Sequence, residues 1–157
     1  MSLTASVCSR LQHQHETIYE LLRGFSEEQL RQRLQPDKWS AFEQLAHLVS
    51  YQPVFMQRLQ KIHQENEPSF DRYVADNDPA FIACCKRSLP GLLNDLNAQR
   101  AGITNYLMTL TEPAERRTGR HPKYGSLTIL EWTEFFLLHE AHHIFSIFML
   151  TRSAQAG

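Results

Sequence analysis

At 157 residues the chain is long enough for one domain with a core of its own. Its 42% hydrophobic and 21% charged residues are globular proportions and exclude a disordered or fibrous chain. A formal net charge of −1 builds no long-range positive field, so nucleic acid is not an expected partner.

The first predicted helix runs from about Thr4 to Phe25, where Leu11, His15, Ile18, Leu22 and Phe25 follow the spacing of one buried stripe. Its start, Met1-Ser2-Leu3-Thr4, has neither the basic nor the apolar region of a signal peptide. Ser26 and Gln29 form a capping box for a short helix that Gln35-Pro36-Asp37 closes. Ser40 and Glu43 form a second, opening a helix from about Ser40 to Gln64, with a kink expected at Pro53. Residues 66–77 read as a connection. Asp78-Pro79 pairs an N-cap with a helix-opening proline, and the helical pattern continues to about Leu110, with a possible interruption at Ser88-Leu89-Pro90-Gly91.

Residues 111–126 contain Pro113, Gly119, Pro122 and Gly125 and read as a long loop. The basic cluster there, from Arg116 to Lys123, lies beside Glu112 and Glu115 and reads as a solvated surface. Thr128 and Glu131 form a third capping box, Leu127 and Trp132 a hydrophobic staple, and the last helix runs to about Arg152. No strand-like alternation stands out. Four long helices in one domain over residues 1–157 predict an all-α four-helix bundle. The most apolar stretch, residues 133–150, carries Glu134, His139, Glu140, His142 and His143, too polar for a membrane span. Cys8, Cys84 and Cys85 lack metal-type spacing, and the adjacent pair reads as two ordinary thiols of a reducing compartment. A cytoplasmic protein without membrane partners is the expectation.

The chemistry concentrates in His139-Glu140-Ala141-His142-His143. Helical residues four apart differ by about 40° in direction and ~6 Å in height, so His139 and His143 can meet one ion. Their arc also holds Ile129, Trp132, Phe135, Phe136 and Ile147, whereas His142 falls beside Glu131, Leu138 and Met149. Two imidazoles buried among aromatic rings need partners for their nitrogens, and a metal supplies one to both. Core histidines bonded to ordinary acceptors are the competing reading. The string also matches H-E-x-x-H, but Glu140 lies about 100° from His139 and would reach only the edge of such a site. His47, with Tyr51, Val54, Phe55 and Ile62 on its face, is the best candidate for a third ligand. His13, His63 and His121 are expected to face solvent, His15 is a minor candidate for a pocket wall, and the capping role accounts for Glu43.

Trp39-Ser40 with His47-Leu48, and Gly125, Leu127-Thr128, Glu131-Trp132, His139 and His143 late in the chain, resemble the DinB/YfiT-like superfamily. The resemblance implies an up-down-down-up four-helix bundle with a metal held by three histidines, which map onto His47, His139 and His143. It also implies a dimer, and relatives that are thiol S-transferases using bacillithiol-type cofactors or a mycothiol-dependent isomerase. The chain departs from the family where a polar run often follows the histidines, having Ile144-Phe145-Ser146-Ile147-Phe148 instead.

Three neutral imidazoles leave room for a water or a thiol on a divalent metal, zinc or nickel foremost. The leading expectation is a metal-dependent transferase or hydrolase acting on a thiol or a small electrophile, with a low-molecular-weight thiol as a candidate cosubstrate. The alternative is a non-catalytic bundle that the metal merely staples. A homodimer is expected because Leu130, Leu137, Ile144 and Phe148 lie roughly opposite the histidine face.

Overall fold

The computed structural model describes residues 3–155. Helix α1 (Ala5–His13) and helix α2 (Thr17–Leu22) are joined by a 3-10 turn at Gln14–Glu16 and together form the first long rod. Helix α3 (Glu27–Arg31) is short, and α4 (Ala41–Gln64) is a full bundle helix. Helices α5 (Pro79–Cys84) and α6 (Leu89–Thr109) follow, then α7 (Glu112–Glu115), strands β1 (Thr118–His121) and β2 (Gly125–Thr128), and α8 (Ile129–Gln155).

All three capping boxes form. The side chains of Ser26, Ser40 and Thr128 accept from the backbone N–H three residues on, and Gln29, Glu43 and Glu131 reach back. Asp78 caps α5. Ser88 caps α6, so the interruption in the third helical region is a true break between two helices. Helix α4 runs through Pro53 unbroken.

The first rod, α4, α6 and α8 enclose two apolar clusters. One contains Ile18, Phe42, Leu45, Leu92, Leu96 and Ile147; the other contains Leu11, Phe55, Leu59, Ile103, Trp132 and Phe136. Along α4 the changeover falls between Val49 and Tyr51, and along α8 between Leu137 and Ile147. A belt of buried polar side chains (His15, His47, Gln52, Arg100, Glu140 and His143) occupies that junction. Polar groups in such a place must satisfy one another or a ligand.

The segment expected to be a loop is a structural unit. Strands β1 and β2 pair antiparallel, Thr118 opposite Thr128 and His121 opposite Gly125. Pro122, Lys123 and Tyr124 make the three-residue turn, with Gly125 at φ +75° in the left-handed position such turns favour. The strands escape a periodicity reading because Leu127 is their one apolar residue. They are fixed from outside: the Trp132 indole donates to the Gly119 carbonyl at 3.2 Å, and Arg120 pairs through its backbone with Pro68 and Phe70. Gly119 supplies the room this fit uses. A Cβ there would lie 2.6 Å from Ile62 Cγ1 and 2.8 Å from Phe70 Cε2. Arg117 donates to the carbonyls of Ile62 and Glu65, anchoring the unit on the open end of α4. Among the described residues, no helix is long and apolar enough to cross a membrane.

Candidate metal centre

Helix α4 supplies His47, and α8 supplies His139 and His143 one turn apart. His139 Nε2 lies 3.1 Å from His47 Nε2 and 3.1 Å from His143 Nε2. One ring nitrogen from each of the three lies within 4.8 Å of the others. His47 and His143 are buried and His139 is half-buried. The structure thus brings together the three histidines expected to form the site. It leaves out His142, which is exposed.

Burial pushes all three imidazoles toward the neutral form: His47 down to about 3, His139 to about 4 and His143 to about 2, with neighbouring imidazoles adding to the effect. His143 Nδ1 lies 2.6 Å from the Gln44 amide oxygen, an acceptor, so that nitrogen carries the proton and Nε2 presents a lone pair. A single N–H can serve only one of the two 3.1 Å contacts at His139 with good geometry, leaving one pair of lone pairs face to face. A cation between them removes that repulsion. Three nitrogens about 2.1 Å from a common ion stand roughly 3.0–3.4 Å apart for angles between 90° and tetrahedral, which brackets the observed spacing. The donor set therefore fits a divalent metal. Among the described residues, His47 Nδ1 and His139 Nδ1 are buried and meet no hydrogen-bond partner.

Aromatic rings enclose the trio. Trp39 lies 5.2 Å from the His47 ring and 6.2 Å from that of His143, and Tyr51 lies 4.9 Å from His139. On the His139 side a cavity of about 600 Å³ opens, walled by Tyr51, Arg58, Tyr73, His121, Tyr124 and Phe135, among others. His121, expected to face solvent, is part of this wall and stacks on Tyr124 at 4.7 Å. The hairpin carries it there, a placement that depends on pairing invisible to helix periodicity.

Glu140 takes no part in the cavity. It is buried on the far side of α8, paired with Arg100 of α6 and bonded to Gln14 Nε2 at 2.9 Å. The helix angle of about 100° between consecutive residues turns it from the histidines, so the H-E-x-x-H string places no carboxylate base here. His15 is buried with Nε2 3.1 Å from Asn97 Oδ1 and does not line the cavity. Glu43 is occupied by its capping box and by Arg33. Gln44 and Arg58 went unmarked in the sequence. Each lies on the His47 stripe of α4, Gln44 three residues before it and Arg58 eleven after, and that spacing was the available signal.

Residues 10–146 match the family model described as the DinB superfamily. The uncharacterized protein YuaE of Bacillus subtilis strain 168 is 26% identical over 135 residues, covering 78% of this chain and 83% of its own. Among solved structures, YfiT from Bacillus subtilis is described as a probable metal-dependent hydrolase with an unusual four-helix bundle topology. It matches with a TM-score of 0.82 at 19% identity, over 97% of this chain and 90% of that one. TT2238, described as a four-helix bundle protein, gives a TM-score of 0.66 at 20% identity, over 90% of this chain and 95% of that one. Both likenesses bear on the fold.

Proposed function

The chain belongs to the DinB superfamily, and from that premise and its three converging imidazoles we propose that it is a metal-dependent enzyme, a hydrolase or transferase acting on a thiol or small electrophile. The observation that carries this reading is the pair of 3.1 Å nitrogen contacts at His139 beside an open cavity. YfiT, described as a probable metal-dependent hydrolase, supports it. His47, His139 and His143 would hold the ion, zinc or nickel foremost. When bound, it supplies Lewis-acid activation that lowers the pKa of a water or thiol.

The chain's own residues set the rest of the chemistry. Gln44 holds the His143 ring in the tautomer that aims Nε2 inward. Burial keeps all three imidazoles neutral at physiological pH, so no proton competes for their lone pairs. Tyr51 accepts from Arg58 Nη1 at 3.2 Å. Burial raises its pKa, so at neutral pH its hydroxyl keeps a proton to donate into the cavity. A low-molecular-weight thiol is the nucleophile for which this set is best suited, because among the described residues no carboxylate hydrogen-bonds to the three histidines and the nearby Asp78 is engaged by the Tyr73 hydroxyl.

The same reading includes a symmetric homodimer. Of the residues expected to form its face, Leu137 is fully buried inside the subunit. The exposed apolar stripe is instead Leu138, Phe145 and Met149, with Phe148 at its edge, the first three at helical spacings of seven and four.

Metal analysis of the untagged chain tests the central claim. One equivalent of metal is expected in the wild type and in His142→Ala, and little in His47→Ala, His139→Ala or His143→Ala. Equal metal content in His139→Ala and His142→Ala would sink it.

A further inference from the structure

Among the described residues two arginines are buried, and they are treated differently. Arg100 is neutralised by Glu140 and also donates from Nε to Gln52 at 3.1 Å. Arg58 is 9% exposed, yet none of the ion pairs among the described residues includes it. Its partners are neutral: the Tyr51 hydroxyl at 3.2 Å and the Asp71 backbone carbonyl at 3.0 Å. The rings of Phe70 and Trp132, each 5.4 Å from the guanidinium carbon, give partial compensation. A guanidinium has five N–H donors, and these two bonds leave most of them open. A buried cation without a counter-charge is costly, and the wall it occupies opens on the cavity beside His139.

The rest of the lining has the same character. Arg72 and Lys123 add two cations, against the single exposed carboxylate of Asp71. His121 Nδ1 accepts from the backbone N–H of Lys123 and Tyr124, both at 3.1 Å, so the neutral ring carries its proton on Nε2 as a donor. Tyr51, Tyr73, Tyr124 and Phe135 supply flat apolar walls. Arg58 follows His47 by eleven residues, about 20° from the same stripe and roughly 16 Å along the helix. Helical side chains lean toward the N-terminus, which brings the guanidinium back to Tyr51 and so toward His139.

We infer that this cavity binds a small aromatic or similarly flat acid, with Arg58 taking its oxyanion while the opposite end faces the three histidines. The inference rests on the cavity being the substrate site of the proposed function, and it narrows the substrate to an anion. Arg58 pairs with the ligand through the bidentate geometry a guanidinium offers to a carboxylate, and Lys123 and Arg72 draw the acid inward.

Chemical-shift titration of the full-length chain, metal-free and zinc-loaded, with benzoate and its neutral isostere benzamide tests this. In the metal-free wild type, benzoate should bind about tenfold or more tightly than benzamide. Shifts should fall on Tyr51, His121 and Tyr124. In Arg58→Met the ratio should fall to about one, and Arg58→Lys should keep an intermediate ratio because charge remains but the fork is lost. Equal binding in the wild type overturns the inference, as does an undiminished preference in Arg58→Met. If Arg58→Met does not fold, the wild-type ratio, the shift map and Arg58→Lys decide the question. The metal reading fails or survives separately: a benzoate preference in a chain that takes up no zinc leaves the subsite standing and removes the metal. Zinc uptake without that preference does the reverse.

Discussion

Glu140→Gln separates two roles for the residue that follows His139. Its carboxylate is 1% exposed and faces an Arg100 side chain that is 2% exposed. It accepts from both terminal nitrogens of Arg100 and from Gln14. The amide keeps the shape but removes the charge, leaving the guanidinium buried with only neutral partners: the amide oxygen, the Gln52 oxygen and the Phe136 ring. Breaking a buried pair on one side costs about 3–5 kcal/mol. For a chain of this length that is a drop in Tm of roughly 6–20 °C. Urea and thermal unfolding followed by circular dichroism measure it. Arg100→Met combined with Glu140→Leu should cost less than either single change. Both charges then leave together, and the main residual is Gln52's lost donor, about 1–3 kcal/mol. Metal content of the folded Glu140→Gln fraction should stay at the wild-type level. Stability within about 0.5 kcal/mol of wild type, together with lost metal or activity, would show that Glu140 serves the histidines and that the pairing is incidental.

Gly119→Ala should destabilise by about 1–3 kcal/mol and loosen the cavity wall, because the new methyl meets Ile62 and Phe70 inside contact distance; a neutral result would mean the hairpin is not pinned there. The metal-free chain should be acid-sensitive. The folded pKa values of His47, His139 and His143 lie below the ordinary 6.5, so stability is full above pH 6.5 and is lost as pH falls toward 4 and below, since the unfolded chain takes up protons first. Three such groups remove about 4 kcal/mol by pH 5.5, and stability unchanged between pH 7.5 and 5.5 would refute that burial. Gln44→Leu should weaken metal binding about 10–100-fold in competition with a chelator while leaving the fold intact. Sedimentation should give a dimer that Phe145→Glu dissociates; a strictly monomeric wild type at micromolar concentration removes the dimer.

Sequence periodicity located the four rods because each buries one continuous stripe, and two of the three capping boxes fixed the starts of α4 and α8 to within a residue, the other opening the short α3. It did not resolve the 3-10 turn at Gln14–Glu16, where the stripe continues through a change of hydrogen-bond pattern. The hairpin was missed for another reason. Its four-residue strands are held by Trp132, Arg117 and the fit of Gly119, contacts between segments far apart in sequence. The exposed stripe of α8 was misplaced by part of a turn, with Leu137 turned inward and Leu138 outward, because apolar residues lie almost all round this helix and give a wheel little contrast.

The histidines were legible because their constraint is local. Four residues along a helix is a geometric guarantee, and the aromatic face of α8 required those rings to find partners. Convergence of His47 was an inference about packing, and it depended on two helices meeting at one level. The cavity was not legible, since its walls come from α4, the stretch before α5, the hairpin and α8. Arg58 shows the difference. In sequence it is one of 16 basic residues and carries no mark. Folding buries most of it without giving it a carboxylate, while Arg100, deeper still at 1% exposed, receives Glu140. One arginine is therefore complete within the fold and the other is not. A charge left unmatched at the wall of an open cavity is best met by an anion, which is why the ligand inferred for this cavity is an acid.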